Sequence, residues 1–328
     1  MAPSSGNAAE LSNQSKSWTV PPGVDKTRLD HYLVSQLSGE SRSQIQNWIR
    51  KGYVQVNGKI VKTGYLLKAG DRIILVRESG PPPGEILPEN IPLDIIYEDS
   101  DLAVINKPAG LTCHLGAGIR SGTLVNALLY HMGPLESDDP SRPGIVHRLD
   151  KSTSGVMLIA KNRFAHRRLA QQFKTRQVKK EYLALVYGQP APPSGTIDLP
   201  IGRDLKNRKK MSTRAYRARA AITHYSLLKN YGPLSLLLVR IETGRTHQIR
   251  VHMAHKGHPI LGDPLYAGNR IRNLPAKLQK LAKELHRPFL HSFRIEFHHP
   301  RTEKLLLFTA PPASELKRFL SLLKKELS

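Results

Sequence analysis

Three prolines in a row, Pro81-Pro82-Pro83, stand between Gly80 and Gly84. Consecutive prolines favour extended polyproline, and each lacks the N–H that a helix or a central strand needs. A chain with such a break folds as separate units on either side of it, so residues 80–87 read as a linker. Its 328 residues leave room for one large domain and a small one. The expected boundaries are a tail at 1–17, a first unit at 18–79 and a second at 88–328. The tail is polar and small, without the apolar core of a secretory signal, and is expected to be disordered.

The first unit shows two helical patterns, then a small sheet. Leu29, Tyr32 and Leu33 share one helical face; Ile45, Trp48 and Ile49 share another. Ser41 is a plausible N-cap and Gly52 a plausible stop. Tyr53-Val54-Gln55-Val56 alternates like a strand, Asn57-Gly58 is a hairpin turn, and Arg72–Val76 closes the unit. Basic residues dominate it. Lys26, Arg28, Arg42, Arg50, Lys51, Lys59, Lys62, Lys68, Arg72 and Arg77 face only Asp25, Asp30, Glu40 and Asp71. Such an excess favours contact with nucleic-acid phosphates over a merely solvated face, with Arg42, Arg50, Lys51 and Lys59 as candidate contacts.

The whole chain carries a formal net charge of +24. A surplus of that size marks a polyanionic partner, because each Lys or Arg placed on a phosphate releases condensed counterions. With no run of 18 apolar residues and no basic amphipathic helix at the N-terminus, a membrane surface is the weaker choice. The single cysteine, Cys113, makes no internal disulfide. That fits a reducing compartment, so a cytoplasmic location is expected, with Cys113 as a small buried hydrophobe.

In the second unit, strands are expected at 102–106, 156–160, 181–187, 221–228, 235–242, 289–297 and 304–309. Helices are expected near 123–132, 163–174, 246–256, 275–285 and 313–326. Strands outnumber helices without strict alternation. The fold class is therefore α+β, with a mixed, mainly antiparallel sheet flanked by helices.

Within this unit, Gly144-Ile145-Val146-His147-Arg148-Leu149-Asp150-Lys151-Ser152-Thr153-Ser154-Gly155 sets one carboxylate between two cations. The buried-strand pattern Val156–Ala160 follows at once, so Asp150 sits on a loop held by a rigid element, where chemistry tends to be placed. An isolated Asp-Lys-Ser turn would more often be a surface cap. The chain has no Gly-rich phosphate loop ahead of a Lys-Ser/Thr pair and no dinucleotide fingerprint, so it offers none of the usual signs of a nucleotide cofactor. His247, His252, His255 and His258 raise the idea of a metal. They lack the cysteine or paired carboxylates that would complete a zinc set, and no metal is expected.

His147-Arg148-Leu149-Asp150 followed by Thr153-Ser154-Gly155 resembles the catalytic motif of the RluA/RluD-type pseudouridine synthases, which isomerise uridines in RNA. The likeness extends in the family's order through Ile91–Asp99, Leu102–Leu111, Lys180–Val186, Glu242–His252 and His258–Tyr266. The N-terminal unit resembles an S4 RNA-binding domain, which points to the members that act on large-subunit ribosomal RNA. The resemblance implies a cofactor-free enzyme, expected to be a monomer, with RNA as its partner.

The likeness makes Asp150 the carboxylate at the sugar–base junction, either attacking the anomeric carbon or assisting glycal formation. Arg245, after Gly244, is the arginine expected to pair with it, with Gly244 permitting an unusual turn and Thr246 capping the helix that follows. Tyr182 is the residue expected to stack on the base and a candidate to take the carbon-5 proton. A stacked uridine must be flipped out to reach such a site. Arg148 is a candidate to fill the vacated space, with His147 orienting the loop and Lys151 beside it. Two basic blocks, 161–180 and 203–219, suggest a phosphate track that includes Arg167, Arg168, Lys209 and Lys210. Two rivals stand beside this reading. One is an RNA N-glycosidase that releases the base; the other is a non-catalytic RNA-binding factor.

Overall fold

The computed structural model describes residues 13–37, 42–78, 86–116, 118–137 and 139–327. Expectations for Ser41, for residues 1–12 and for the Pro81–Pro83 break fall outside them. The chain divides into two compact units, before and after residue 85.

The first unit comprises β1 (Asn13–Thr19), α1 (Leu29–Gln36), α2 (Arg42–Arg50), β2 (Val54–Val56), β3 (Lys59–Ile60) and β4 (Arg72–Glu78). Its sheet runs β1-β4-β2-β3. Asn57 and Gly58 both have positive φ, 51° and 76°, the backbone a tight two-residue hairpin demands. Leu29, Leu33, Ile45, Ile49, Val54, Ile73 and Leu75 fill the core. The expected disordered tail is corrected from Asn13 onward, where β1 pairs antiparallel with β4 from Asn13↔Glu78 to Thr19↔Arg72. Backbone pairing with a neighbouring strand holds this polar segment, and no hydrophobic pattern announces it.

Asp30 on α1 is fully buried. It accepts hydrogen bonds from Arg28 Nε (3.0 Å), Arg42 Nε (3.0 Å) and Gln46 Nε2 (2.6 Å). Burial opposes its charge, but these donors together hold the carboxyl below the usual carboxylate range. Arg42, expected on an RNA surface, thus ties α2 to α1.

The second unit opens with β5 (Asp94–Glu98), β6 (Leu102–Lys107), α3 (Leu124–Met132), β7 (Ser154–Ala160), α4 (Arg163–Lys174) and β8 (Lys179–Tyr187). It continues through β9 (Ser194–Asp198), β10 (Gly202–Arg203), β11 (Met211–Ser212), β12 (Ile222–Asn230), β13 (Leu234–Ile241) and α5 (Gln248–His255). It ends with α6 (Ala276–Lys283), β14 (Leu290–His298), β15 (Leu305–Thr309) and α7 (Ser314–Leu327). The main sheet runs β5-β6-β7-β14-β8-β13-β12-β9, with β15 on β14. Only β7 and β14 are parallel in this α+β, mixed sheet.

Strand alternation sends Ala103, Ile105, Met157 and Ile159 to one face, where α3, α5, α6 and α7 pack. Leu102, Val104, Val156 and Leu158 go to the other, against Ala165 and Leu169 of α4. Every residue of β7 is buried. That rigid central strand carries the Asp150 loop at its start. Gly155 has φ +115°, and a Cβ there would run into the Ser292 carbonyl of β14. The glycine in Thr153-Ser154-Gly155 is therefore required by the parallel β7–β14 junction.

Candidate active site

Four successive carbonyls of the Asp150 loop are each held by a donor. Leu149 O accepts from the Cys113 thiol at 3.2 Å, and Asp150 O from Thr153 N at 3.0 Å. Lys151 O accepts from Gly110 N at 2.7 Å, and Ser152 O from Arg287 Nη1 at 3.1 Å. Arg287 also binds Ser154 Oγ and the Glu315 carboxylate. Lys107, fully buried at the end of β6, donates to Pro108 O (2.8 Å) and Leu111 O (2.9 Å), bracing the segment that carries Gly110. Burial brings its ammonium down to about 8. With its backbone fixed on all sides, the loop presents Asp150 without reorganising.

The ion partner of Asp150 is Arg250, which corrects the expectation for Arg245. Arg250 Nη1 lies 3.2 Å from Asp150 Oδ2. Its Nε and Nη2 grip Asp263 at 2.7 and 3.0 Å, and Asp263 is itself fully shielded. Burial works against the guanidinium's charge, and the two carboxylates outweigh it, so its pKa is raised. The Tyr266 ring lies under the guanidinium, 5.2 Å from centroid to Cζ. Arg245 is turned away: its Nε donates to Ala220 O at 3.2 Å, and its N–H to Gln248 Oε1 at 3.0 Å.

The helix start explains the difference. The left-handed residue is His247 (φ 57°), not Gly244, and α5 begins at Gln248, so Thr246 caps nothing. Arg250 then falls on the buried side of the first turn, between Ile249 and Val251. An arginine within an apolar helical run, ahead of the Gly262-Asp263-Pro264 acid, is the signal that could have found it.

Asp150, Tyr182, Arg245, Arg148 and His147 all line one pocket of about 480 Å³, with Arg250, Lys180, Phe173 and His247. Tyr182 is buried on β8. Burial raises its phenol above the ordinary range, against a smaller lowering by Ser292 beside it. His147 accepts the Leu158 N–H through Nε2 at 2.9 Å and stacks on Phe173 at 4.8 Å. Burial, helped by the Lys180 charge, pushes it down to about 3, so the imidazole is neutral with its proton on Nδ1. His147 thereby pins the motif to β7.

Of the second unit's other sequence candidates, Lys151, Arg167, Arg168, Lys209 and Lys210 do not line the pocket. Lys151 is exposed beyond its rim. Lys209 and Lys210 lie on the exposed 203–219 segment, where Lys210 approaches the Tyr266 ring at 6.0 Å. Arg50 and Lys59 are exposed in the first unit, and Lys51 sits 6.0 Å from the Tyr53 ring. The 161–180 block is less basic in space than in sequence. Lys161 pairs with Glu98, Arg168 with Glu303, Arg176 with Glu242 and Lys179 with Glu296. Arg167, on the same helix, also engages neighbouring groups.

The four histidines bond separately. His252 uses both ring nitrogens, on Thr223 and Leu199 O; His247 bonds Tyr266, His255 bonds Thr213, and His258 bonds Tyr187 O. The one grouping with metal-ligand spacing among the described residues is Asp99, Asp101 and His299. There Arg301 grips Asp101 at 2.6 and 2.7 Å, which supplies the positive charge a cation would bring.

Comparison with known proteins gives this geometry its context. Residues 101–255 match the family model described as RNA pseudouridylate synthase, and residues 27–73 match the S4 domain. An uncharacterized RNA pseudouridine synthase of Aquifex aeolicus is 44% identical over 305 residues, covering 92% of this chain and 95% of its own. The ribosomal large subunit pseudouridine synthase D of Pseudomonas aeruginosa is 39% identical over 310 residues, covering 94% and 95%. The structure of human RNA pseudouridylate synthase domain containing 4 superposes with a TM-score of 0.56 at 29% identity, covering 70% of this chain and 93% of that one. With such identity along nearly its whole length, the chain belongs to the RNA pseudouridine synthases and carries an N-terminal S4 domain.

Proposed function

We propose that this enzyme, acting as a monomer in the cytoplasm, converts uridines of large-subunit ribosomal RNA to pseudouridine, with Asp150 as the reacting carboxylate and no cofactor. The observation that carries the assignment is the Asp150–Arg250 ion pair in a pocket that also holds Tyr182. The reaction breaks the bond from C1′ to N1, turns the base, forms the bond from C1′ to C5, and moves the C5 proton to N1. Nothing is oxidised or transferred away. Asp150 serves either as nucleophile at C1′ or as the charge that favours a glycal; in both roles Arg250 is its ion partner.

Tyr182 supplies a flat wall for the detached base. Arg148, exposed at the pocket mouth, is placed to take the stack position the flipped uridine leaves. Arg245, also at the pocket, is suited to hold RNA rather than Asp150. The large-subunit target is that of the ribosomal large subunit pseudouridine synthases D of Pseudomonas aeruginosa and Neisseria meningitidis, to which the chain is similar. The S4 unit, with Arg50, Lys51 and Lys59 exposed, adds a second RNA surface.

The test is to map pseudouridine in ribosomal RNA from cells with and without the protein, and then to restore the missing sites with purified enzyme. Large-subunit sites that vanish and return support the reading. Unchanged large-subunit sites, or free uracil in place of a retained carbon-linked base, would overturn it.

A further inference from the structure

Lys180 differs from the other cations around it. It is only 7% exposed, and it lines the pocket from β8. It lies two residues before Tyr182, so the strand period puts both side chains on one face. Its Nζ lies 5.5 Å from the centre of the Phe173 ring.

The neighbouring carboxylates are committed elsewhere. Glu181 points to the opposite face and pairs with Arg294 at 2.6 Å. Glu242 holds Arg176 and His224, and Asp150 holds Arg250. His147, which also stacks on Phe173, is neutral and brings no negative charge. Among the described residues, no carboxylate pairs with Lys180. An ammonium on a side chain this buried, with a ring beside it and no carboxylate partner among the described residues, is poorly compensated, because a cation–π contact offsets a fraction of the lost hydration. A fold retains such a cost most readily where a ligand supplies the missing anion.

We propose that Lys180 forms the inner wall of a phosphate subsite, with exposed Lys174 at its rim, that takes a backbone phosphodiester next to the flipped uridine. This inference rests on the reading that the target uridine enters the pocket. The chemistry selects a phosphodiester, because the entering uracil is neutral and the phosphate is the one fixed anion each nucleotide brings. It also suits the reaction. The base must turn while the sugar stays over Asp150, and a cation fixed by a central strand anchors that sugar through its phosphate.

The experiment uses the full chain and a stem-loop RNA that the wild type converts. Lys180→Met keeps the stem and removes the charge. It is expected to weaken RNA binding about tenfold, the loss of one charge-assisted contact. The salt dependence should become shallower by about 0.7, as for one single-strand phosphate. Thermal stability should stay level or rise. A neutral methylphosphonate placed 5′ or 3′ of the target uridine should weaken wild-type binding at one of the two positions, and should add nothing to the Lys180→Met defect there.

Equal affinity and salt slope in the variant would overturn the subsite, as would a methylphosphonate penalty of the same size in both proteins. Should Lys180→Met fold poorly, the wild type decides: no penalty at either methylphosphonate position rejects the subsite. Conversion of the unmodified RNA by the wild type is scored separately, so loss of the subsite and loss of the functional reading remain distinct.

Discussion

The guanidinium of Arg250 reaches the Asp150 carboxylate through a single nitrogen, Nη1, at 3.2 Å, while its other two nitrogens are locked on Asp263. A planar fork can serve two carboxylates at once; a lysine ammonium in the same place serves one. Arg250→Lys is therefore expected to lower single-turnover rate by orders of magnitude even at saturating RNA. Arg250→Leu should also destabilise the fold by roughly 3–5 kcal/mol, because it leaves buried Asp263 without its partner. Arg245→Leu should weaken RNA binding but turn over normally once saturated. A dead Arg245→Leu beside an active Arg250→Lys would reverse the assignment.

Asp150→Asn keeps the shape of the side chain and removes its charge. Turnover is expected to vanish and RNA affinity to change little, since the loop's backbone is fixed by groups other than this carboxylate. Pseudouridine yield and a binding isotherm on the same preparation check both halves. Clear turnover in the variant would remove Asp150 from the chemistry.

His147 makes acid stability a probe of the motif. The folded imidazole is held down to about 3 by burial and the Lys180 charge, against an ordinary value of 6.5. The unfolded chain therefore binds this proton first as pH falls. The His147 contribution is complete above pH 6.5 and is lost between there and pH 3. Urea unfolding across that range should show stability rising with pH, and His147→Gln should flatten the slope. An identical slope in the variant would show that the imidazole is not buried in neutral form.

Gly155→Ala tests the β7–β14 junction. Its Cβ would collide with the Ser292 carbonyl, and the positive φ is also unfavourable for alanine. A loss on the order of a few kcal/mol is expected in denaturant titration. A variant as stable as the wild type would mean that the parallel strands can separate locally at no cost.

Residues 86–328 expressed alone are expected to fold and to retain single-turnover chemistry, because Asp150, Tyr182 and Arg250 all lie within them. RNA affinity should fall, with a shallower salt dependence, as S4 contacts are removed. Unchanged affinity and slope would assign no RNA contact to the first unit.

Much of this architecture was legible along the chain. The apolar run at 156–160 lies within β7, and the helix expected at 163–174 has the bounds of α4. Period and apolar content are local, so a window of ten residues reports them. The loop with Asp150 was readable for the same reason, as a polar turn beside a buried strand. Weakly patterned edges were not legible: β1 and β9 owe their form to pairing with β4 and β12, and little in their own sequence marks them.

What the tertiary structure alone decided is which charges meet. Arg250 stands 100 residues from Asp150, and Arg245 is the equally plausible arginine five positions earlier. The left-handed turn at His247 sets the phase of α5, and that phase sends one arginine to the carboxylate and the other to a backbone carbonyl. The 161–180 block reads as uniformly basic, yet Glu98, Glu303, Glu242 and Glu296 arrive from other elements to neutralise four of its cations. Lys180 is left buried, with no carboxylate partner among the described residues. Electrostatic energy depends on distance and burial in three dimensions, and neither quantity exists until distant strands have packed.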